Sequence, residues 1–160
     1  VYPGTVLLEG TNISEGRGTT MPFEVVGAPW IDAERFANQM NDARLPGVHF
    51  RAASFVPTFQ KHAEQRCGGC QIHVTDRRAF RPVQAAVTLL AELRRADPER
   101  FAWRDPPYEY ERVKRPIDIL SGSDELRCHI EDDVPPTEIA RGWKPAVDEF
   151  RNVRERYLLY

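Results

Sequence analysis

The chain has few lysines, few cysteines and no long apolar run, and each shortage argues against a class of function. Of its 22 basic residues only three are lysines, Lys61, Lys114 and Lys144, and the formal net charge is -2. Because neither a basic stripe nor a basic amphipathic helix is present, we expect no nucleic-acid partner. No apolar stretch is long enough to cross a bilayer, so we expect no membrane span in this chain.

The three cysteines are a weak basis for a metal site or a redox site. Cys67 and Cys70 form a single C-x-x-C, whereas a zinc site needs two further ligands at suitable spacing. His62 and His73 are near in sequence, but His73 belongs to a strand pattern. We therefore interpret Cys70 as a small buried residue and Cys67 as a turn residue, and we expect neither a metal nor another cofactor.

Length and periodicity predict one globular domain with an α+β fold, in which a small mixed or antiparallel sheet packs against several helices. The chain begins at Val1 without an initiator methionine, so we expect a fragment or a processed product. Strands are predicted at Thr5 to Leu8, Val48 to Ala52 and Cys70 to Asp76. Helices are predicted at Asp32 to Ala43, from Pro82 to Asp97, on both sides of a break at Gly122, and from Pro135 onward.

The last third is predicted to be helical, with one long helix whose apolar residues recur at intervals of three or four. We interpret this stripe as core and expect Pro145 to kink the helix. Residues 105–116 are predicted to form an ordered surface connection in which Tyr108, Tyr110 and Val113 pack. The residues of the predicted stripe are Ile139, Trp143, Val147, Phe150, Val153 and Tyr157.

Residues 9–20, EGTNISEGRGTT, contain carboxylates, an arginine, an amide and three glycines but almost no apolar residue. The glycines at 10, 16 and 18 allow positive φ angles and a close approach of the backbone to a ligand. Because apolar stretches flank the run on both sides, we interpret it as a loop that forms a binding or catalytic site. The alternative is a solvated surface loop without a function.

Several blocks of the sequence together resemble the NamZ-like peptidoglycan exo-β-N-acetylmuramidases. They are EGTNISEGRGTTMPFEVVGAPW, FVPTFQKHAEQRCGGCQIHVTDR, PIDILSGSDELR and RYLLY, in the family's order and with matching intervals. The resemblance covers essentially residues 1–160 and points to the family's C-terminal domain. It implies an N-terminal Rossmann-like domain, absent from these residues, as the partner, and an active site in a cleft that involves that domain.

The activity that the resemblance implies is release of N-acetylmuramic acid from the non-reducing ends of peptidoglycan fragments during cell-wall turnover or recycling. It also implies a periplasmic or extracellular location. We expect the isolated chain to be inactive and to supply residues that line the cleft and bind muramyl glycans. A non-catalytic glycan-binding or scaffolding module is the alternative.

Glycoside hydrolysis generally needs a carboxylic acid and a carboxylate on either side of the scissile bond. Glu9 and Glu15 are the local pair, but the resemblance places the family's proposed catalytic acid in the N-terminal domain. Arg17, two residues from Glu15, should favour an ionised glutamate. We therefore assign Glu15 a supporting role first and a catalytic role second.

Muramic acid carries a lactyl carboxylate, which a guanidinium binds through two parallel hydrogen bonds. Arg17 is the first candidate for this contact, and Arg51, on the polar face of its strand, is the second. We expect Arg17→Lys in a full-length protein to weaken muramic substrates more than glucosamine analogues. The alternative for Arg17 is a structural salt bridge to Glu9 or Glu15.

The remaining candidates for substrate binding are Glu9, Asn12, Thr19, Thr20 and His73. Asn12 and the two threonines suit sugar hydroxyls, but they suit turn and cap hydrogen bonds equally well. His73 is either a proton carrier at the cleft or a structural residue, and we favour the structural interpretation.

Overall fold

The computed structural model describes residues 1–159 and contains a three-stranded antiparallel sheet with helices packed against it. It confirms the predicted α+β fold and the helical last third. The strands are β1 (Val25–Ala28), β2 (Val48–Phe55) and β3 (Cys67–Val74). The helices are α1 (Tyr2–Thr5), α2 (Ala33–Asp42), α3 (Pro82–Ala96), α4 (Pro116–Ser121), α5 (Glu125–Glu131), α6 (Pro136–Gly142) and α7 (Lys144–Arg154), with 3₁₀ turns at Val6–Gly10 and Glu155–Tyr157.

The strand order is β1-β3-β2, and both pairings are antiparallel. The register pairs Arg51 with Gln71 and His49 with His73, so the polar residues of β2 and β3 share one face. Phe50 and Ile72 are also paired and are buried on the opposite face, where α2 packs. Strands are therefore confirmed at both predicted places, but β2 extends three residues beyond residue 52, and β3 begins three residues before residue 70 and ends two residues before residue 76.

The strand predicted at Thr5 to Leu8 is wrong, because these residues complete α1 and begin a 3₁₀ turn. In a run of only four residues, periodicity alone cannot distinguish a strand from a helical turn. Pro3, which occupies the first helical turn, was the signal for a helix, since its fixed φ suits that position. The 3₁₀ turn carries Glu9.

The core lies between the sheet, α2 and α3. Asp32 caps α2 by accepting a hydrogen bond from the backbone N–H of Arg35 at 2.9 Å, and Phe36 and Met40 are buried. In α3, Ala86, Val87, Leu90 and Leu93 are fully buried, but Val83 is exposed.

The C-x-x-C segment forms the first half of β3, and its residues contribute to packing. Cys67 is buried at the start of the strand, so the prediction that it is a turn residue is wrong, whereas Cys70 is buried as expected. A Cβ at Gly69 would lie 1.9 Å from the carbonyl oxygen of Val26, so the glycine allows β1 to approach. Burial raises the pKa of Cys67 to about 11 and also raises that of Cys70, so both thiols are protonated at neutral pH.

The long C-terminal helix is interrupted, and most of its predicted core stripe is exposed. Gly142 ends α6 and α7 begins two residues later, because Pro145 lacks an N–H and fits the first turn of a new helix rather than a helix interior. Ile139 is buried, whereas Phe150 and Tyr157 are 63% and 79% exposed. Periodicity showed that the helix has an apolar face but not what covers it.

The connection at residues 105–116 contacts the rest of the molecule through Tyr108, which is half-buried. Tyr110 and Val113 were expected to pack and are instead 98% and 83% exposed. Within residues 1–159, no helix is both long and apolar enough to span a membrane, and no group of three or more His, Cys, Asp or Glu side chains is placed to hold a metal ion.

Candidate functional site

A cavity of about 640 Å³ opens between the 3₁₀ turn at Val6–Gly10, the polar loop that follows it, and the connection between β2 and β3. Its wall is polar and charged, which distinguishes it from an apolar groove. The residues that line it are Glu9, Thr11, Asn12, Glu15, Arg17, Gln60, Lys61, His62 and Arg104.

Lys61 joins the two loops through its ammonium group. Its Nζ donates hydrogen bonds to the carbonyl oxygens of Leu8 and Ile13, both at 2.9 Å, and to Glu15 Oε2 at 2.8 Å. An ammonium has three protons, and these three bonds use all of them. Burial lowers the pKa of Lys61, and Glu15 partly offsets that effect. Lys61 therefore holds the wall together and has no donor left for a ligand.

Glu9 and Arg17 form a second pair on the same wall. Arg17 Nη2 lies 2.6 Å from Glu9 Oε1, and the hydroxyl of Tyr108 donates to Glu9 Oε2 at 2.8 Å. Burial raises the pKa of Glu9, but the bonds from Arg17 and Tyr108 outweigh it and leave the pKa lowered. Burial together with the Glu9 carboxylate raises the pKa of Tyr108 to about 12. Glu9 is thus an ionised acceptor and Tyr108 a neutral donor.

Glu15 is held between two cations. Its Oε1 is 3.4 Å from Arg17 Nε, its Oε2 contacts Lys61, and the residue is only 2% exposed. We call Glu9, Glu15, Arg17, Lys61 and Tyr108 the cavity cluster. Because both oxygens of Glu15 face cations, the geometry is that of an ion pair and not of a carboxylic acid that donates a proton. It suits the supporting role that we assigned to Glu15.

The loop after β2 is held in an uncommon backbone conformation. Gln60, His62 and Glu64 all have positive φ angles, of 66°, 56° and 63°. Non-glycine residues rarely adopt such angles, and those that do are concentrated at functional sites. His62 Nε2 lies 2.7 Å from the carbonyl oxygen of Asn12, which can only accept, so Nε2 carries the proton and a neutral His62 leaves Nδ1 as an acceptor.

Asn12 fastens the polar loop to residues 100–104. Its side-chain amide donates to the carbonyl oxygen of Arg100 at 2.7 Å, and its Oδ1 accepts from the N–H of Ala102 at 3.0 Å. The N–H of Arg104 donates to the carbonyl oxygen of Gly10 at 2.8 Å. The side chain of Asn12 is therefore engaged within the protein, and its predicted contact with a sugar stays untested.

The glycines of the polar loop allow close contacts inside the protein. Gly16 and Gly18 have the expected positive φ angles, of 79° and 83°. A Cβ at Gly18 would lie 2.8 Å from the backbone nitrogens of Thr58 and Phe59, and Thr58 donates from N and Oγ1 to the Gly18 carbonyl. We expected the backbone to approach a ligand here, whereas the close neighbour is the loop after β2.

The other predicted site residues do not line this cavity. Thr19 accepts from Met21 N and donates to the carbonyl oxygen of Gly16 at 2.6 Å, which is a turn role, and Thr20 is exposed. Arg51 bonds to Gln71 on the polar face of the sheet. His73, on the same face, has a buried Nε2 without a hydrogen-bond partner within residues 1–159. Their roles in substrate binding stay untested predictions.

The sequence analysis missed the part of the wall that lies outside residues 9–20. Lys61 and His62 had a signal, since they sit in a polar segment between two strands and lysine is rare in this chain. Arg104 had none, and Tyr108, although it was predicted to pack, had no signal for its contact with Glu9, because only the folded chain brings residues 100–108 against the polar loop.

Comparison with known proteins gives a family model and a relative that point to the same family. The family model described as the C-terminal part of the exo-β-N-acetylmuramidase NamZ matches residues 1–160. The peptidoglycan β-N-acetylmuramidase NamZ of Bacillus subtilis (strain 168) is 40% identical over 160 residues, which is 100% of this chain and 37% of that protein. The chain thus spans little more than a third of that relative.

Two crystal structures of DUF1343 family proteins from Bacteroides fragilis NCTC 9343 are also similar. The first superposes with a TM-score of 0.84 at 28% identity and covers 99% of this chain and 41% of that chain. The second has a TM-score of 0.59 at 24% identity, covers 99% of this chain and 39% of that one, and supports the fold alone.

Proposed function

The chain belongs to the family of C-terminal domains of the exo-β-N-acetylmuramidase NamZ, and from this premise we propose that it forms one wall of a muramidase active site. In this proposal the wall holds the terminal N-acetylmuramic acid at the non-reducing end of a peptidoglycan fragment. A second domain, N-terminal and Rossmann-like, supplies the opposite wall and the acid that protonates the leaving group.

The observation that carries this proposal is the charged cavity wall, in which both carboxylates are already engaged. A glycosidase needs one protonated carboxylic acid beside the scissile bond. Glu9 accepts from Arg17 and Tyr108, and Glu15 from Lys61, so each is held as a carboxylate. This arrangement supports orientation and substrate binding by the chain, with the proton supplied from elsewhere.

The residues proposed for substrate contact are polar residues that line the cavity. Arg17, with its side chain 39% exposed, and Asn12 line the cavity and remain candidates for contact with the sugar. Gln60 and His62 join them, because both line the cavity and the amide of Gln60 suits sugar hydroxyls. Lys61 acts on substrate only through the position of Glu15.

The test compares the 160-residue chain with the full-length gene product that carries it, on a chromogenic N-acetylmuramide. We expect turnover by the full-length protein and none by the chain alone, whose folding is checked by circular dichroism. Turnover by the folded chain alone would contradict the assignment of the catalytic acid to a second domain. Inactivity of the full-length protein would contradict the proposed activity.

A non-catalytic glycan-binding module is the second candidate, and the engaged carboxylates favour it for the isolated chain. Titration of the chain with N-acetylmuramic acid, followed by NMR, tests it through shifts at residues of the cavity wall. A periplasmic or extracellular location remains part of the proposal, and fractionation of cells that produce the full-length protein tests that part.

A further inference from the structure

The charges on the cavity wall do not balance. Glu9 and Glu15 are the two anions that line it, while Arg17, Lys61 and Arg104 are the three cations. The first two cations contact the carboxylates directly, at 2.6 Å for Arg17 on Glu9 and 2.8 Å for Lys61 on Glu15. The guanidinium of Arg104 makes neither a salt bridge nor a hydrogen bond within residues 1–159. The wall therefore carries one positive charge without a counterion.

The backbone of Arg104 is fixed even though its side chain is exposed. Its N–H donates to the carbonyl oxygen of Gly10, and the preceding residue, Trp103, forms a β-bridge with Thr11. The guanidinium carbon lies 5.9 Å from the centre of the Tyr108 ring, which is within the range of a cation–π contact. Tyr108 is itself anchored by its bond to Glu9. These contacts hold the charge at the edge of the cavity.

Resting on the proposed function above, we propose that Arg104 binds the lactyl carboxylate of the terminal muramic acid and makes the site selective for muramyl over glucosaminyl ends. N-acetylmuramic acid differs from N-acetylglucosamine by the lactyl ether, whose carboxylate is ionised at neutral pH. A planar guanidinium without a partner receives such a carboxylate through two parallel N–H···O bonds. The substrate then supplies the counterion that the wall lacks.

The other two cations are poorer choices for this contact. All three protons of the Lys61 ammonium are donated inside the protein. Arg17 already turns Nη2 to Glu9 and Nε to Glu15, so a third carboxylate there would meet two fixed negative charges. Arg104 meets the same substrate group without displacing a partner.

The experiment uses the full-length gene product and three chromogenic substrates: an N-acetylmuramide, its lactyl methyl ester and an N-acetylglucosaminide. We expect Arg104→Gln to lower kcat/KM for the acid about 10- to 100-fold, as loss of charge-assisted hydrogen bonds does. Its kcat/KM for the ester and the glucosaminide should be nearly unchanged. Arg104→Lys keeps the charge but loses the planar guanidinium that donates two parallel hydrogen bonds, so it should retain part of the preference for the acid. Arg112→Gln, an exposed arginine outside the cavity, is the matched control.

The outcomes separate this inference from the proposed function. If the wild type is active but Arg104→Gln keeps the full preference for the acid over the ester, the assignment to Arg104 is wrong. The same holds if only Arg17→Lys abolishes that preference, which would return the contact to Arg17. A wild-type protein that neither hydrolyses the muramide nor binds N-acetylmuramic acid would overturn the proposed function and the inference with it.

Discussion

Two groups of polar side chains in this molecule are held in different ways. The cavity cluster places two carboxylates, two cations and a phenol in direct contact, with Glu15 only 2% exposed. The second group, which we call the sheet face, consists of His49, Arg51, Gln71, His73 and Thr75 on β2, β3 and the residue after β3. There Arg51 bonds to Gln71, and the buried Nε2 of His73 has no hydrogen-bond partner within residues 1–159.

The difference shows how the stability of polar side chains depends on charge and burial. A charge taken out of water is tolerated only when it is paired and hydrogen-bonded, so the members of the cavity cluster depend on one another. The exposed members of the sheet face are solvated, and their mutual contacts contribute little to stability. Substitutions of matched residues should therefore differ strongly in their effect between the two groups.

The largest difference is expected between Lys61→Met and Arg51→Met. Removal of the Lys61 ammonium leaves Glu15 Oε2 and the carbonyl oxygen of Ile13 without the donor that they share, which should lower the free energy of unfolding by about 3 kcal/mol. Arg51→Met removes an exposed cation and should cost less than about 0.5 kcal/mol. Urea denaturation at pH 7 measures both.

Two results would break this contrast. One is a loss for Lys61→Met no greater than that for Arg51→Met. The other is strict additivity in the double variant Lys61→Met/Glu15→Gln, because removal of both members of a buried pair should cost less than the sum of the single changes.

The second prediction concerns the contact between the two loops that form the cavity wall. Gly18 has a φ of 83°, and an added Cβ would lie 2.8 Å from two backbone nitrogens. We expect Gly18→Ala to cost about 2 kcal/mol, since it combines an unfavourable φ with a steric clash. Gly142→Ala is the control: it ends α6 with open space around it and should be neutral or slightly stabilising. Thermal unfolding of both variants checks this, and equal melting temperatures would contradict it.

The third prediction is a pH dependence in the bond between Tyr108 and Glu9. Tyr108→Phe should lower the free energy of unfolding by about 1.5 kcal/mol at pH 7, because a hydrogen bond to an ionised acceptor is lost. The pKa of Glu9 in the folded protein is below its ordinary value of 4.5. The stabilisation is therefore fully present above that value and is lost as the pH falls through the folded-state pKa.

The difference between wild type and Tyr108→Phe should thus shrink in acid. Urea denaturation at several pH values between 7 and the acid range, with Tyr110→Phe as the control, measures it. Tyr110 is 98% exposed, so its hydroxyl should contribute nothing at any pH. A Tyr108 effect that is constant with pH would mean that Glu9 is not the charged partner.

The elements that were predicted correctly are those with a strong local period. The alternation in β2 and β3 and the apolar stripe of α3 depend on residues within one element, so sequence alone identifies them. The resemblance to a known family correctly predicted that the chain belongs to the C-terminal domains of that family. A polar run between apolar stretches is a local signal, and it predicted a site-forming loop at residues 9–20, of which Glu9, Thr11, Asn12, Glu15 and Arg17 line the cavity.

The features that were missed depend on contacts between distant parts of the chain. Tyr108 and Glu9 are 99 residues apart in sequence, and Lys61 and Glu15 are 46 apart, so no local sequence pattern predicts either bond. The apolar stripe of α7 has the period of a core helix, yet Phe150 is exposed. Periodicity reports that a face is apolar, whereas burial also depends on which surface is near enough to cover it.

The smallest expected effect compares the two histidines. His73→Leu on the sheet face removes a buried nitrogen that has no hydrogen-bond partner within residues 1–159, so stability should change by less than about 0.5 kcal/mol. His62→Leu at the cavity loses the bond to the Asn12 carbonyl and should cost about 1 kcal/mol. If His73→Leu proved the more costly of the two by urea denaturation, the sheet face would hold its polar groups as firmly as the cavity does. The distinction between the two groups would then rest on charge alone and not on hydrogen bonding.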